Sequence, residues 1–233
     1  QSMRAYIIND SNNKLSEQGV KNCFKSLWDN DSDIIIEPFQ QTSPDTLVNH
    51  LEDFPELKWN YPVYNETRVD EETGVTLKGY KTNDINKVFA CTISHARLWK
   101  ICVERSEEIM ILEHDAIFTR KFESFEWEGG VLGLNDPRGA THSSMLFHSI
   151  VSNNQGIQNT PWVKPAFDIP QGLAGNSAYI IKPYFAEKLL NKLKQKGGWP
   201  NDALMCKQFF PNELKVIYPY YTKLQPMQST TTL

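Results

Sequence analysis

Apolar runs that end in polar residues recur along the chain and predict the strands of a buried sheet. The run Ile109-Met110-Ile111-Leu112 stops at Glu113-His114-Asp115, and similar runs occupy residues 5–8, 34–36, 131–134, 178–181 and 216–218. Uninterrupted apolar runs are typical of strands covered on both faces in a mainly parallel sheet. The pattern therefore predicts a single α/β domain with helices on both sides of the sheet.

Apolar residues spaced by three and four predict the helices that alternate with these strands. The clearest helix is residues 88–104, where a stripe is formed by Phe89, Ile93, Ala96, Trp99 and Cys102. Further helices are predicted at 16–28 with Ser16 as N-cap, at 42–54, from Pro183 to Gly197, and after Asn201. The resulting β-α-β start is usual for a nucleotide-binding α/β domain.

Two long segments lack periodicity and are predicted to be loops. Residues 59–84 are interrupted by proline and glycine, and at most a hairpin is expected there. Residues 139–170 are interpreted as a lid or an acceptor-binding segment, because long loops in compact domains usually carry function. The tail from Lys223 is polar and shows no pattern.

The acidic residues after the 109–112 run are the strongest candidates for chemistry. If the chain stays extended, Glu113 and Asp115 point to the same side. Ligands bind at the carboxyl ends of strands in open α/β sheets, and two carboxylates there suit Mg²⁺ or Mn²⁺. The alternative is an ordinary solvated strand end. Asp10, after the first strand, either contacts a nucleotide or caps the following turn.

Composition narrows the class of protein. The chain has 233 residues, 40% hydrophobic and 22% charged, which fits one globular domain. A net charge of −4 gives no electrostatic footprint for nucleic acid. An aromatic content of 12% weakly favours sugar binding.

Cysteine usage and the termini set further expectations. The four cysteines are scattered without a CxxC pair, which predicts reduced thiols and a cytoplasmic protein. No signal peptide or membrane-spanning run is apparent. Gln1-Ser2 before Met3 is interpreted as a tag remnant, so the domain is expected to be residues 3–233.

Several separate blocks resemble glycosyltransferase family 25, which includes bacterial lipooligosaccharide galactosyltransferases and the collagen galactosyltransferase domain. Residues 90–100 are similar to the family's GCxxSHxxxWK block, with Ala90 in place of glycine, and 111–116 are similar to ILEDDV, with His114 as the central residue. Residues 172–181 resemble a glycine-led G-x-x-x-Y-x-I-S strand, and Pro200-Asn201-Asp202 matches P-x-D. A Q…ST ending is found at Gln225 and Ser229-Thr230. The amino-terminal strand lacks the family's NLDR run.

The resemblance implies a GT-A fold and an inverting transfer from a nucleotide-diphospho-sugar, with residues 3–115 binding the donor and 116–233 the acceptor. It implies Mn²⁺, or Mg²⁺, held by Asp115 with Glu113. Donor contacts are expected from Asp10, Ser94, His95, Glu113 and Asn176, although on the residues alone Ser94 and His95 fit a surface or capping role. The expected substrates are a UDP-sugar and a glycan or other hydroxyl acceptor.

The remaining roles are assigned as hypotheses. Asp202 is the expected general base; the alternatives are an acid that stabilises a helix start, or Asp168 as the base. His114 is a metal ligand, a diphosphate or ribose contact, or a side chain turned into the fold. Sugar positioning is expected from Asn176, Trp199 and residues 139–170. Lys87, Lys81 or Arg68 is expected to help neutralise the charge of the departing diphosphate.

Two other functions compete with a hexosyltransferase. A nucleotidyltransferase also places acids and a metal on an α/β sheet, but it should have a glycine- and lysine-rich loop after the first strand, which this chain lacks. A catalytically inactive nucleotide-sugar or glycan-binding module would share the fold. Turnover of a donor sugar distinguishes that module from the enzyme.

Overall fold

A mixed sheet with seven strands forms the centre of the chain in the computed structural model, which describes residues 2–139 and 143–226. The strands of these residues are Met3–Asn9 (β1), Ile34–Gln40 (β2), Thr67–Val69 (β3), Thr76–Lys78 (β4), Ile109–Glu113 (β5), Ala116–Phe118 (β6), Val131–Gly133 (β7), Gly156–Asn159 (β8), Ala178–Ile181 (β9), Leu214–Tyr218 (β10) and Thr222–Leu224 (β11). The helices are Lys14–Asp29 (α1), Leu47–His50 (α2), Ile85–Arg105 (α3), Ser144–Val151 (α4), Pro183–Lys196 (α5) and Asn201–Leu204 (α6), with a 3-10 turn at Leu51–Asp53.

The central sheet has the order β2-β1-β5-β9-β7-β10-β8. Strands β2, β1, β5, β7 and β10 run in one direction, and β9 and β8 run against them. The carboxyl ends of β1, β5 and β7 therefore meet the amino end of β9 at one edge. This α/β arrangement, mainly parallel and flanked by helices, is the predicted fold class.

Side chains of β1 and β5 alternate between two buried layers. Ala5 and Ile7 pack on one side with α1, and Tyr6 and Ile8 pack on the other side, which also holds α3 and α5. Burial of each aliphatic side chain of this size contributes about 1.5–3 kcal/mol. The apolar runs of these strands are thus buried on both faces, as predicted. Packing on both faces fixes the positions of the strand ends of β1 and β5.

Two predicted boundaries differ from the structure. Helix α1 begins before Ser16, because the Asn13 side chain accepts hydrogen bonds from the Leu15 and Ser16 amides and is the N-cap. Strand β2 is half-exposed and continues through Pro38. It lies at the sheet edge, where proline's missing amide proton is tolerated.

The two predicted loops contain more regular structure than expected. The hairpin anticipated within 59–84 is formed by β3 and β4. Residues 139–170 contain α4 and the edge strand β8, and the tail contains β11, which pairs with β6. The predicted 42–54 helix is reduced to α2 and its 3-10 turn. Residues 140–142 of the predicted lid and Ser229-Thr230 lie outside the described residues.

All four cysteines are free, as predicted.

Candidate active site

Two cavities open at the carboxyl edge of the central sheet. The smaller, about 290 Å³, lies between the ends of β1 and β5, the segment 41–44 and α3. The larger, about 520 Å³, is bounded by residues 78–81, the 161–175 segment and the start of α6. Strand ends of an α/β sheet are the usual place for ligands, so both cavities are candidate substrate sites.

The smaller cavity collects most of the predicted donor-site residues. Its walls include Asp10, Ser94, His95, Glu113 and Asp115, which come from three separate segments of the sequence. The structure thus brings these five residues together. It does not place Asn176 in this wall.

The chain turns after Glu113 instead of staying extended, because β5 ends there and a turn leads into β6. The prediction that strand alternation places Glu113 and Asp115 on the same side is therefore wrong. Glu113 and Asp115 nevertheless line the same cavity. Asp115 Oδ1 is enclosed and has no hydrogen-bond partner. Burial, with the nearby Glu113 charge, raises the pKa of the Asp115 carboxyl.

These observations fit a hard divalent cation. Two crowded carboxylates, one with an orphaned buried oxygen, are relieved when a cation binds between them. Glu113 and Asp115 are the residues that would hold it.

A second donor set shares Glu113. One ligand atom each from Cys91, His95 and Glu113 lie within 4.8 Å of one another. Burial and the Glu113 charge raise the pKa of the Cys91 thiol well above its usual value, so the thiol stays protonated. His95 Nε2 is already 3.1 Å from Glu113 Oε2. This set suits a hard cation less well than the Glu113–Asp115 pair.

A chain of hydrogen bonds connects Glu113 to the core. Trp99 Nε1 donates to the Tyr179 hydroxyl at 3.0 Å, and that hydroxyl lies 2.7 Å from His95 Nδ1. Because an indole N–H only donates, the tyrosine proton is available for Nδ1, and His95 Nε2 then donates to the Glu113 carboxylate. We call these four residues the Trp99–Glu113 relay.

Burial of Ser94 and His95 corrects the surface or capping role considered for them. His95 is fully buried in the relay. Ser94 Oγ donates to the Ala90 carbonyl at 3.0 Å and accepts from the Thr42 amide at 2.8 Å. Arg97 also holds this segment through the Thr42 hydroxyl. Ser94 therefore fixes the segment 41–44 that forms one wall of the smaller cavity.

His114 is directed toward α1. Its Nδ1 lies 3.0 Å from Ser16 Oγ, which in turn accepts a hydrogen bond from the Asp10 amide. Burial lowers the pKa of the His114 imidazole and favours the neutral ring. The residue still lines the smaller cavity, so it ties the strand end to α1 beside Asp10.

The larger cavity has Asp202 in its wall, together with Tyr61 and Tyr80. Asp202 is open to solvent on the cavity side, yet protein surrounds it elsewhere. This desolvation, with the Glu113 charge, raises the pKa of its carboxyl. Asp168, the alternative base, is not among the lining residues.

The two cavities adjoin each other at α6. Cys91 lines the smaller cavity, and its thiol is 3.5 Å from Oδ1 of Asn201, the neighbour of Asp202. Asp202 and Glu113 both raise the pKa of the Tyr80 hydroxyl, after burial as the larger cause. Charged groups in the walls of the two cavities are therefore close enough to interact electrostatically.

Other predicted residues have different outcomes. Asn176 is buried, and neither its Oδ1 nor its Nδ2 has a hydrogen-bond partner, which is typical of a ligand site. Trp199 is buried against Tyr61 and is a core residue, which corrects its predicted sugar contact. Lys87 lines the smaller cavity and Lys81 the larger one.

Arg68 is not among the lining residues of either cavity. Its guanidinium donates to the Asn60 carbonyl at 2.5 Å. The prediction that it assists the leaving group has no support from this position.

Sequence reasoning missed Cys91, Tyr80 and Tyr179 as site residues. Cys91 matches the C of the GCxxSHxxxWK block, and Tyr179 matches the Y of the glycine-led strand block. The resemblance could therefore have indicated both residues. Tyr80 lies in an aperiodic segment, and no local pattern marked it.

An acidic sheet edge between two adjoining cavities is typical of an enzyme that brings two substrates together. The sequence profile of glycosyltransferase family 25, described as an LPS biosynthesis protein, matches residues 85–205, slightly more than half of the chain. The chain therefore belongs to glycosyltransferase family 25 and is a glycosyltransferase.

The solved structures to which this chain is distantly similar include two glycosyltransferases. Mouse xyloside xylosyltransferase 1 (apo form) is 9% identical with a TM-score of 0.43, and the match covers 90% of this chain and 81% of that one. The WbbM bifunctional glycosyltransferase (apo structure) is 13% identical with a TM-score of 0.41, covering 93% of this chain and 38% of that one. Both are too distant to transfer residue roles.

No curated protein matches the sequence. Among the residues that the structure describes, no helix is both long and apolar enough to cross a membrane.

Proposed function

We propose that this glycosyltransferase moves a hexose, galactose or glucose, from a UDP-sugar to a hydroxyl group of a glycan or other acceptor, with inversion and with Mn²⁺ or Mg²⁺. One observation carries the proposal. The two cavities adjoin each other, and each presents one acid of the pair Glu113 and Asp202 near the junction. An inverting transfer needs this arrangement, because the leaving UDP lies on one face of the anomeric carbon and the attacking hydroxyl, with its base, lies on the opposite face.

The donor belongs in the smaller cavity. Asp10 and the segment 41–44 would contact the nucleotide, and Ser94 holds that segment in place. Residues 3–115 supply every side chain of this cavity's wall. The division into halves is not strict, since Tyr61 and Tyr80 line the acceptor cavity.

Glu113 and Asp115 would hold the cation. When bound, a divalent cation supplies Lewis-acid stabilisation of the departing diphosphate's charge. His95 is a positioning residue in this proposal, because its hydrogen bond to Oε2 fixes the orientation of the Glu113 carboxylate. Tyr179 and Trp99 fix the imidazole in turn.

Asp202 would accept the proton of the acceptor hydroxyl. A base works best when its pKa approaches the working pH, and the raised pKa of Asp202 moves the carboxyl in that direction. The pKa is raised because burial and the Glu113 charge disfavour the ionised form. Tyr61 and Tyr80 line the same cavity and supply aromatic surface next to the place assigned to an acceptor sugar.

The direct test is a panel of UDP-galactose, UDP-glucose, UDP-N-acetylglucosamine and GDP-mannose, incubated with Mn²⁺ or with EDTA. Release of free UDP from a UDP-hexose that EDTA abolishes is the expected result, and NMR of a transfer product should show inversion at the anomeric carbon. Thermal stabilisation by UDP–Mn²⁺ without turnover of any donor would favour the inactive binding module. Absence of stabilisation by any nucleotide would contradict both functions.

A further inference from the structure

Three lysines line the cavity assigned to the acceptor. Lys78 is the last residue of β4, Lys81 lies in the segment that follows it, and Lys164 comes from the segment before β9. Asp202 is the single acidic side chain among the lining residues of this cavity. The whole chain carries a net charge of −4, so the cavity is locally positive on a negative protein.

These lysines have no acidic partner in the described part of the chain. Ion pairs there involve other basic residues, including Lys25, Lys121, Lys188, Lys192 and Lys196. Uncompensated like charges around one cavity oppose folding slightly, and such arrangements are typical of sites that bind the opposite charge.

The remaining lining suits a sugar ring. Tyr61, Tyr80 and Phe147 give apolar and aromatic surface, and Ser143 adds a polar group. The amide of Gln171, which also lines the cavity, is hydrogen-bonded to the backbone of residues 163–165 and holds that part of the wall. Sites for small polar ligands combine apolar walls with a few placed polar and charged groups. Lys78 and Lys81 are exposed and Lys164 is half-exposed, so a neutral sugar would leave the three ammonium groups to water, whereas an anionic sugar would form ion pairs with them.

We propose that the acceptor is an anionic glycan whose carboxylate or phosphate group is recognised by Lys78, Lys81 and Lys164, with its reacting hydroxyl beside Asp202. The proposal rests on the proposed function for the assignment of the cavity. It adds the chemical class of the acceptor. Electrostatic focusing in a cleft would also raise the rate at which such an acceptor arrives.

The alternative ligand for these lysines is the donor diphosphate. That group is assigned to the smaller cavity, whose wall holds a different lysine, Lys87. The two assignments differ in a measurable way. Removing Lys78, Lys81 and Lys164 should weaken acceptor binding and leave the affinity for UDP–Mn²⁺ unchanged.

The test uses the triple variant Lys78→Gln, Lys81→Gln, Lys164→Gln. A matched control carries Lys21→Gln, Lys58→Gln and Lys194→Gln, which removes the same charge from exposed positions outside both cavities. Binding of glucuronic acid, glucose 6-phosphate and glucose is measured by ligand-observed NMR with UDP–Mn²⁺ present. The first two probes distinguish a carboxylate from a phosphate, and glucose is the neutral reference.

In the wild-type protein and the control, at least one anionic sugar should bind about tenfold more tightly than glucose. The advantage should disappear in the cavity variant and at about 0.5 M NaCl, where screening is strong. Equal binding of all three sugars, no binding by any, or an advantage that survives in the cavity variant would overturn the proposal. Failure of UDP–Mn²⁺ binding in the wild-type protein would instead count against the proposed function.

Discussion

At the scale of single residues, the turn after β5 directs neighbouring side chains to different surroundings. Glu113 and Asp115 face the smaller cavity, while His114 between them contacts Ser16 on α1. The carboxyl pair was predictable, because an apolar strand ending in acids is a local pattern. The burial of His95 was not, because its partners Tyr179 and Glu113 lie 84 and 18 residues away in sequence.

Replacement of Asp115 by alanine tests the cation site. The variant loses one of two cation-binding carboxylates, so we expect the affinity for UDP–Mn²⁺ to fall by about 100-fold or more. Isothermal titration with UDP, with and without Mn²⁺, measures the change. Asp168→Ala is the matched control, since that aspartate does not line either cavity. Unchanged UDP–Mn²⁺ affinity in Asp115→Ala would show that the cation site is wrongly placed.

Replacement of Tyr179 by phenylalanine tests the Trp99–Glu113 relay. The change removes one hydroxyl and leaves the Trp99 indole N–H and His95 Nδ1 without a hydrogen-bond partner, which costs about 1–3 kcal/mol of unfolding free energy. A less well oriented Glu113 should also raise the Mn²⁺ concentration needed for half-maximal transfer by about tenfold.

The control for the relay is Tyr184→Phe. Tyr184 is 46% exposed and its hydroxyl donates to Glu213 at 2.8 Å, far from either cavity wall. This variant should leave the Mn²⁺ dependence unchanged. Loss of stability without any shift in Mn²⁺ dependence in Tyr179→Phe would reduce the relay to a purely structural feature.

At the scale of elements, the β3–β4 hairpin is held on α5 by a buried ion pair. Lys196 Nζ lies 2.5 Å from Asp70 Oδ1, and the Thr73 hydroxyl and amide also donate to Asp70. Burial alone would raise the pKa of Asp70, but the hydrogen bonds from Lys196 and Thr73 outweigh it and lower the pKa. The hairpin leads directly into residues 78–81, so this pair also supports the wall of the larger cavity.

Asp70→Asn should lower the free energy of unfolding by roughly 2 kcal/mol at pH 7, because Lys196 loses its closest partner and Glu72 replaces it only in part. A carboxyl with a lowered folded pKa stabilises fully above its unfolded value of 3.8 and loses that stabilisation as the pH falls through the folded pKa. The difference between wild type and variant should therefore persist at pH 6 and shrink below about pH 3.8. Denaturant unfolding at several pH values measures it. A difference independent of pH would exclude the ion pair as its cause.

Elements with strong internal periodicity were predictable, and those defined by distant pairing were not. The stripe of α3 and the apolar run of β5 are visible in the sequence itself. Strands β8 and β11 contain three or four residues at positions where only the partners β10 and β6 define them. Helix α4 was missed because eight residues with Met145, Leu146 and Ile150 exposed give no clean apolar stripe.

At the scale of the whole molecule, the antiparallel strand β9 brings the segment that precedes it beside the end of β5. It lies between β5 and β7, so its amino end, with Asn176 just before it, meets the acidic end of β5. The fold class followed from the order of apolar runs. The junction of the cavities could not be predicted from that order. Asp202 and Glu113 come from distant parts of the chain, and they lie near each other only because α6 packs near α3.

In the proposed function, Asp202 acts as the base at this junction while the donor binds in the smaller cavity. Transfer from the preferred UDP-hexose to an acceptor, measured for wild type and Asp202→Asn together with UDP–Mn²⁺ affinity, tests it most directly. We expect the variant to retain its donor affinity and to lose transfer by about 100-fold or more, as general-base catalysis typically contributes. Transfer at the wild-type rate by Asp202→Asn would exclude Asp202 as the base.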